Sequence, residues 1–329
     1  MTKLLSVDNL TVEFAGPSGP VRVVDGISFS LEKGETLGIV GESGSGKSVT
    51  SLSIMRLLPK GKAAIAQGDV RLQGESLVRL SEKEMRNVRG KRIAMIFQEP
   101  MTALNPVFKV GSQIAEAIRR HARISRKAAR KEAIELLGDV GISAPDQVAN
   151  AYPHQLSGGM RQRVMIAIAM ACNPEILIAD EPTTALDVTI QAQILDLMRK
   201  LQRERGTAII LITHDLGVVA ETCDKVSVMY AGQIVEQGDV GRLFREPKHP
   251  YTMGLLKSIP QFSGKEKQLY SIAGQVPHPA DYPAGCRFAD RCPFKMDVCV
   301  TDEPGAVDFG NGHRCKCHLY GRETNAGVD

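Results

Sequence analysis

The chain reads as an α/β protein with a mixed or parallel sheet at its core and a small cysteine-rich segment behind it. Three observations carry this reading. Short apolar runs alternate with stretches of helical spacing, one of those runs opens into a glycine-rich loop ahead of a helix, and the cysteines crowd into the last part of the chain.

The opening MTKLLSVDNLTVEF alternates and carries Asp8 and Glu13, so it predicts a strand rather than a signal peptide. Further strands are predicted at Glu35 to Gly41, Arg92 to Phe97, Glu175 to Asp180, Thr207 to Thr213 and Lys225 to Tyr230. Each is a short apolar run bounded by polar or turn residues, as strands buried on both faces are. Helical spacing covers Ser45 to Leu58, Gly158 to Ala171 and Val188 to Arg205. Residues 110–150 are strongly helical and basic, with Arg119, Arg120, Arg123, Arg126, Lys127, Arg130 and Lys131. Glu132 and Glu135 interleave and no aromatic residue is available for stacking, so this stretch reads as a helical insertion with a solvated face and not as a nucleic-acid patch. A strand-like run from Gln233 to Glu236 precedes a domain boundary near Gly238 to Val240; from about Pro247 onward Pro, Gly and His rise and long helical periodicity fades.

A length of 329 residues suits one large domain plus a smaller one, since single cores rarely exceed about 250 to 300 residues. The net charge of +4 is too weak to argue for nucleic acid as a partner. The longest apolar run, near Val164 to Cys172, falls short of the ~18 residues that span a bilayer. The chain is therefore expected in the cytosol, free or docked on a membrane partner.

The octapeptide GESGSGKS, Gly41 to Ser48, fits G-x-x-x-x-G-K-[ST] at every fixed position and follows the apolar run Leu37, Gly38, Ile39, Val40. Strand, loop and helix in that order form a phosphate-binding loop. Successive N–H groups along Gly41, Ser43, Gly44, Ser45, Gly46, Lys47, Ser48 and Val49 make a concave anion site, to which the following helix adds its positive end. Lys47 would reach the β- and γ-phosphates and Ser48 would hold Mg²⁺, so the chain is expected to bind a nucleoside triphosphate. A second element, Ile176, Leu177, Ile178, Ala179, Asp180, Glu181, is an apolar strand ending in two acids. Asp180 is placed to hold Mg²⁺ through water, and Glu181, one residue on, could polarise an attacking water.

Between these two elements stands LSGGMRQR, Leu156 to Arg163, which resembles the signature motif of ATP-binding cassette (ABC) ATPases. The other motifs fall in that family's order. Phe14 is placed like the aromatic residue that stacks on adenine, although Tyr is commoner there; Gln98 resembles the Q-loop glutamine, a further Mg²⁺ ligand; Ala185, Leu186 and Asp187 resemble the D-loop; His214 in LITHD resembles the switch histidine. The resemblance implies a P-loop ABC ATPase cassette over residues 1–239, with a helical subdomain at about 108–172. Its catalytic residues would be Glu181, His214 and Gln98. Ser157, Gly158, Gly159 and Gln162 of the signature would close on the ATP of a second cassette, paired head to tail.

Segments outside the ATPase motifs narrow the resemblance. FQEPMTALNP, YPHQLSGGM, EPTTALDVTIQAQI and HPYT look like the ATP-binding subunits of bacterial dipeptide and oligopeptide importers, and GCRFADRCP with a later Cys317 and His318 is similar to their C-terminal extension. The resemblance implies an inner-membrane importer with two membrane-spanning permease subunits, a peptide-binding protein outside and a second ABC ATPase subunit that is often a different chain. This chain would sit on the cytoplasmic face as a peripheral subunit, with residues 240–329 as its extension. Nickel or another small solute is the alternative cargo.

The cysteines are Cys172 and Cys223, then Cys286, Cys292, Cys299, Cys315 and Cys317. In a cytosolic protein stable disulfides are disfavoured, and a short segment poor in large apolar residues needs a staple to fold. The C-x2–4-C pairs usual for structural zinc are absent, apart from the tight Cys315-x-Cys317. The resemblance implies a [4Fe-4S] cluster on Cys286, Cys292, Cys299 and Cys317, with Cys315 the spare and zinc the alternative metal. Two other functions compete: a soluble ABC ATPase acting on ribosomes or DNA, which usually carries two cassettes or a long coiled coil, and a redox or metal sensor, which would need a low-pKa exposed cysteine beside Arg287, Arg291 or Arg314.

Overall fold

The computed structural model describes residues 3–17, 19–98, 103–184, 186–259 and 270–321. Its contacts divide into two compact units, one built from residues 32–35 and 79–212, the other from residues 2–31, 36–78 and 213–329.

In the second unit, β1 (Lys3–Gly16), β2 (Gly19–Glu32), β4 (Ala63–Leu72) and β5 (Glu75–Ser76) form a sheet in the order β2-β1-β4-β5, with β4 antiparallel to both β1 and β5. β1 pairs with β4 from Leu5↔Leu72 to Phe14↔Ala63. A mixed sheet holds β3 (Thr36–Val40) parallel to β9 (Lys225–Tyr230), with β10 (Gln233–Asp239), β12 (Arg314–Lys316) and β11 (Ala306–Asp308) added antiparallel in turn. β10 runs on past the expected Glu236 to Asp239, whose carboxylate then caps helix Val240–Arg245 by accepting from Arg242 N at 3.0 Å. The residues beyond 240 share this unit's core: Tyr251 and Phe288 pack with Val40, Val226, Val228 and Tyr230. β12 docks on β10 through Glu236↔Cys315 and Gln237↔Arg314.

The other unit carries a parallel ladder of β6 (Ile93–Ile96), β7 (Ile176–Asp180) and β8 (Ala208–Thr213), in register from Ile93↔Ile176 and from Ile176↔Ala208. Every residue of β7 and β8 is buried, which is why these strands show no alternation. The basic stretch breaks into three helices, Val110–His121, Arg126–Asp139 and Pro145–Asn150. Ser125 caps the second, its hydroxyl accepting from Ala128 N, and Pro145 opens the third, where its missing N–H costs nothing. Ile114, Ile118, Ala133 and Leu137 turn inward while the seven Arg and Lys side chains of the run are exposed, as a solvated face requires. Helices Gly158–Met170 and Val188–Arg205 follow the expected bounds, the latter stopped by Gly206 at φ 65°.

The helix expected over Ser45 to Leu58 is shorter, Lys47–Ile54. The Ser51 and Ser53 hydroxyls donate back to the Ser48 and Val49 carbonyls, and Arg56 takes a left-handed φ of 50°, so the chain leaves the helix before Pro59. Among the described residues no helix is long and apolar enough to cross a membrane.

Candidate functional site

The phosphate loop leaves the end of β3, whose five residues are all buried. Gly41 sits at φ 155° with its α-carbon against the backbone; a Cβ there would come within 2.2 Å of the Met229 carbonyl oxygen, so only glycine fits. Gly46, at φ 100°, turns the chain into the helix as its N-cap. The Lys47 side chain is buried and donates to the Gly41 carbonyl at 2.8 Å and the Glu42 carbonyl at 3.0 Å, which fixes the ammonium across the mouth of the loop. Ser43 and Gly44 are exposed at the tip, Ser48 and Val49 are half-buried on the first helical turn, and Ser45 is buried with no partner for its hydroxyl among the described residues. Phe14, half-buried near the end of β1, lies in the same unit as the loop. His214 is exposed just past β8, and Asp215 after it caps helix Leu216–Thr222 by accepting from Gly217 N and Val218 N.

The acidic strand end belongs to the other unit. Asp180 is buried, 4% exposed, as the last residue of β7. Glu181 follows in a left-handed conformation at φ 47°, with its N–H donating to the Ile212 carbonyl at 2.9 Å. A β-carbon-bearing residue held there is strained, and the turn in the backbone takes the Glu181 carboxylate to two side-chain donors. That carboxylate accepts from Gln98 Nε2 at 3.1 Å and from Thr184 Oγ1 at 2.8 Å. Gln98 arrives because it follows β6, the neighbour of β7, so two residues separated by 83 positions meet at one strand edge.

The signature stretch lies in this unit too. Ser157 is the N-cap of helix Gly158–Met170, its hydroxyl accepting from Met160 N at 3.3 Å. Ser157 and Gly158 are exposed at the N-terminus of this helix, the end that carries the positive pole of its dipole. Gly159 is packed against Ile190; a Cβ there would come within 2.8 Å of its Cγ2. Gln162 is buried at 2% exposure on the inward face, with its Nε2 unpartnered among the described residues. Asp187 caps the Val188–Arg205 helix by accepting from Ile190 N at 2.9 Å; Ala185 and residues 99–102 lie outside the described residues.

All seven cysteines are free. Cys286, Cys292, Cys299 and Cys317 line one small cavity together with His249 and His318, whereas Cys315 is buried in β12, in the sheet. Burial pushes the thiols of Cys286 and Cys292 up, and that of Cys317 to about 11. Among the described residues no three His, Cys, Asp or Glu side chains stand in the arrangement that would hold a metal ion. The arginines that adjoin cysteines are committed elsewhere: Arg287 pairs with Asp25, Arg291 with Glu42 and Arg314 with Asp308.

Sequence reasoning missed the residues that grip the loop from far away, Tyr251 and Arg291. Tyr251 stood out only within HPYT and Arg291 only as a neighbour of a cysteine, and no one-dimensional pattern links either to Glu42, whose N–H donates to the Tyr251 hydroxyl and whose carboxylate pairs with Arg291.

Comparison with known proteins gives a consistent picture. A family model described as "ABC transporter" matches residues 24–184, and one described as "Oligopeptide/dipeptide transporter, C-terminal region" matches residues 235–299. The chain is 53% identical over 323 residues to the oligopeptide transport ATP-binding protein AppD of Bacillus subtilis, covering 98% of each. It is 52% identical over 315 residues to the dipeptide transport ATP-binding protein DppD of Escherichia coli, covering 96% of each. Among solved structures it is similar to the dimeric post-hydrolysis state of the ATP-binding cassette MJ0796 bound to ADP and Pi, with TM-score 0.65 and 28% identity over 72% of this chain and 98% of that one. The cbiO1 subunit from Clostridium perfringens superposes with TM-score 0.64 and 27% identity, over 75% and 92%.

Proposed function

This chain belongs to the ABC transporter family, among the ATP-binding subunits of oligopeptide and dipeptide transporters, and on that premise we propose how its residues divide the work. It is an ATPase coupled to transport, the motor subunit of an importer of di- or oligopeptides. The observation that carries this is the phosphate loop, with Lys47 held at its mouth, in a chain matched nearly end to end by peptide-transport ATP-binding subunits.

In this reading residues 1–239 are the nucleotide-binding domain and 240–329 the extension. Phe14 stacks on adenine; Gly41 to Val49 wrap the phosphates, and Lys47 turns from its two carbonyls to the β- and γ-oxygens. Ser48, Gln98 and Asp180, an oxygen-donor set, would hold Mg²⁺, which would supply charge neutralisation on the phosphates. Glu181 accepts a proton from the attacking water, held in aim by Gln98 and Thr184, while His214 steadies the γ-phosphate. Ser157, Gly158 and Gly159 act on the ATP of a second cassette, and Gln162 packs beneath them. The partners are a second ABC subunit of a different sequence, two permeases and an extracytoplasmic peptide-binding protein, with this chain peripheral on the cytoplasmic face of the inner membrane.

For the extension we favour a [4Fe-4S] cluster on Cys286, Cys292, Cys299 and Cys317, with zinc the alternative. The support is the shared cavity and the commitment of Cys315 to the sheet. Either metal would take the four sulfurs as thiolates and would supply a cross-link among the loops that carry them.

Glu181→Gln tests the assignment. ATP affinity should hold while turnover in the assembled transporter falls by about 10²–10⁴-fold, the range for losing a positioned base. Turnover within a fewfold of wild type would remove Glu181 from that role.

A further inference from the structure

Glu42 is the second residue of the phosphate loop, and all of its polar groups are taken. Its N–H donates to the Tyr251 hydroxyl oxygen at 2.9 Å, and its carbonyl accepts from Lys47 Nζ at 3.0 Å and Ser45 N at 3.2 Å. Its carboxylate lies in a two-pronged pair with Arg291, Nη1 to Oε1 and Nη2 to Oε2 both at 3.1 Å, across 249 residues of sequence. The Arg291 side chain is only 6% exposed, against 32% for Glu42. The guanidinium is fixed by its own surroundings: Nε donates to the Ala273 carbonyl at 2.9 Å, Nη2 to the Ile272 carbonyl at 3.3 Å, and it lies over the rings of Tyr230 and Phe288. Tyr251 is equally fixed, fully buried against Tyr230 and Phe288 at ring separations of 4.7 and 5.4 Å. A second strap holds the same region, since Arg287 donates to the Ala231 carbonyl and pairs with Asp25, and the N–H of Gly232 donates to the Ser45 carbonyl at 3.0 Å.

These contacts give the loop a wall made by the C-terminal segment. A carboxylate inside an anion-binding loop opposes a triphosphate unless a cation answers it, and a planar guanidinium locked by backbone carbonyls answers it without losing further freedom. We propose that Arg291 and Tyr251 are positioning residues for the phosphate loop: they hold the Glu42 backbone in its receptive form, and Arg291 cancels the Glu42 charge that would repel nucleotide. This rests on the loop being the nucleotide site. Both act through Glu42.

Equilibrium titration of the full chain with a fluorescent ATP analogue tests the proposal. Arg291→Ala should raise the Kd about tenfold at low salt, as an unanswered charge a few ångströms from a polyanion does, and the deficit should shrink as salt screens it. Arg291→Ala combined with Glu42→Gln should recover most of the affinity that Arg291→Ala loses, to within about threefold of the Glu42→Gln variant measured beside it, the signature of a charge effect rather than lost packing. Arg291→Lys, which keeps the charge but not the fork, should fall between wild type and Arg291→Ala, and it serves where the alanine variant does not fold. Wild-type affinity in Arg291→Ala, a salt-independent deficit, or a double variant as weak as Arg291→Ala would overturn the proposal. Lys47→Ala separates the two levels: if it binds like wild type, the nucleotide reading of the loop fails and takes this inference with it.

Discussion

Glu236→Ala is the substitution whose cost the structure sets most clearly. Glu236 lies on β10 with its side chain fully buried, and its carboxylate accepts from Lys248 N at 2.7 Å and His249 N at 2.9 Å and meets His313 Nε2 at 2.8 Å. Alanine strands two backbone N–H groups and one imidazole nitrogen in a dry site. At about 1–3 kcal/mol for each orphaned donor, reduced where water enters the space left behind, the loss comes to about 3–5 kcal/mol. Glu236→Gln retains one acceptor oxygen but sets an amide against a donor, so it should cost about half as much. Urea denaturation followed by circular dichroism measures both. Glu246→Ala is the control, because that carboxylate is 65% exposed beside Lys248 and such pairs contribute at most about 1 kcal/mol. A loss below about 1 kcal/mol for Glu236→Ala would refute the reasoning, since no buried acceptor serving three donors can be that cheap to remove.

Two further outcomes follow from the cysteines. Anaerobically purified chain should be brown with absorbance near ~400 nm, as thiolate-ligated iron is; Cys317→Ser should bleach it while Cys315→Ser keeps the colour, and colourless protein with about one equivalent of zinc would establish a Cys₄ zinc site instead. Cys223, packed beside Val219, has its thiol pushed by burial to about 12. A raised folded pKa gives stability that is whole below the unfolded value of about 8.5 and is lost as pH climbs toward the folded one, so wild type should lose up to ~1.4 kcal/mol per pH unit more than Cys223→Ala across that alkaline window. Matching alkaline limbs in pH-dependent denaturation would contradict this.

What the sequence made legible was local. The phosphate loop and its strand are adjacent residues obeying steric rules, and the buried parallel strands announce themselves as unbroken apolar runs, so their bounds fell within a residue or two. The first helix was over-read because Ser51 and Ser53 favour back-bonding over continuation, a choice that periodicity does not register. Gln162 sits in a motif on paper but turns inward on the helix. The grip of Arg291 and Tyr251 on Glu42 was out of reach, because it depends on how a distant segment folds back across the sheet. The same is true of Cys315, whose place beside Glu236 is a matter of strand register.

Peptide uptake by the reconstituted transporter tests the central claim most directly. Vesicles carrying this chain assembled with its membrane permeases and any second ATPase subunit, with ATP inside and binding protein and labelled dipeptide outside, should accumulate peptide and release phosphate together. Lys47→Ala in this chain should abolish both. Peptide accumulation that continues undiminished in the Lys47→Ala vesicles, or phosphate release with no uptake of any di- or oligopeptide, would contradict the account.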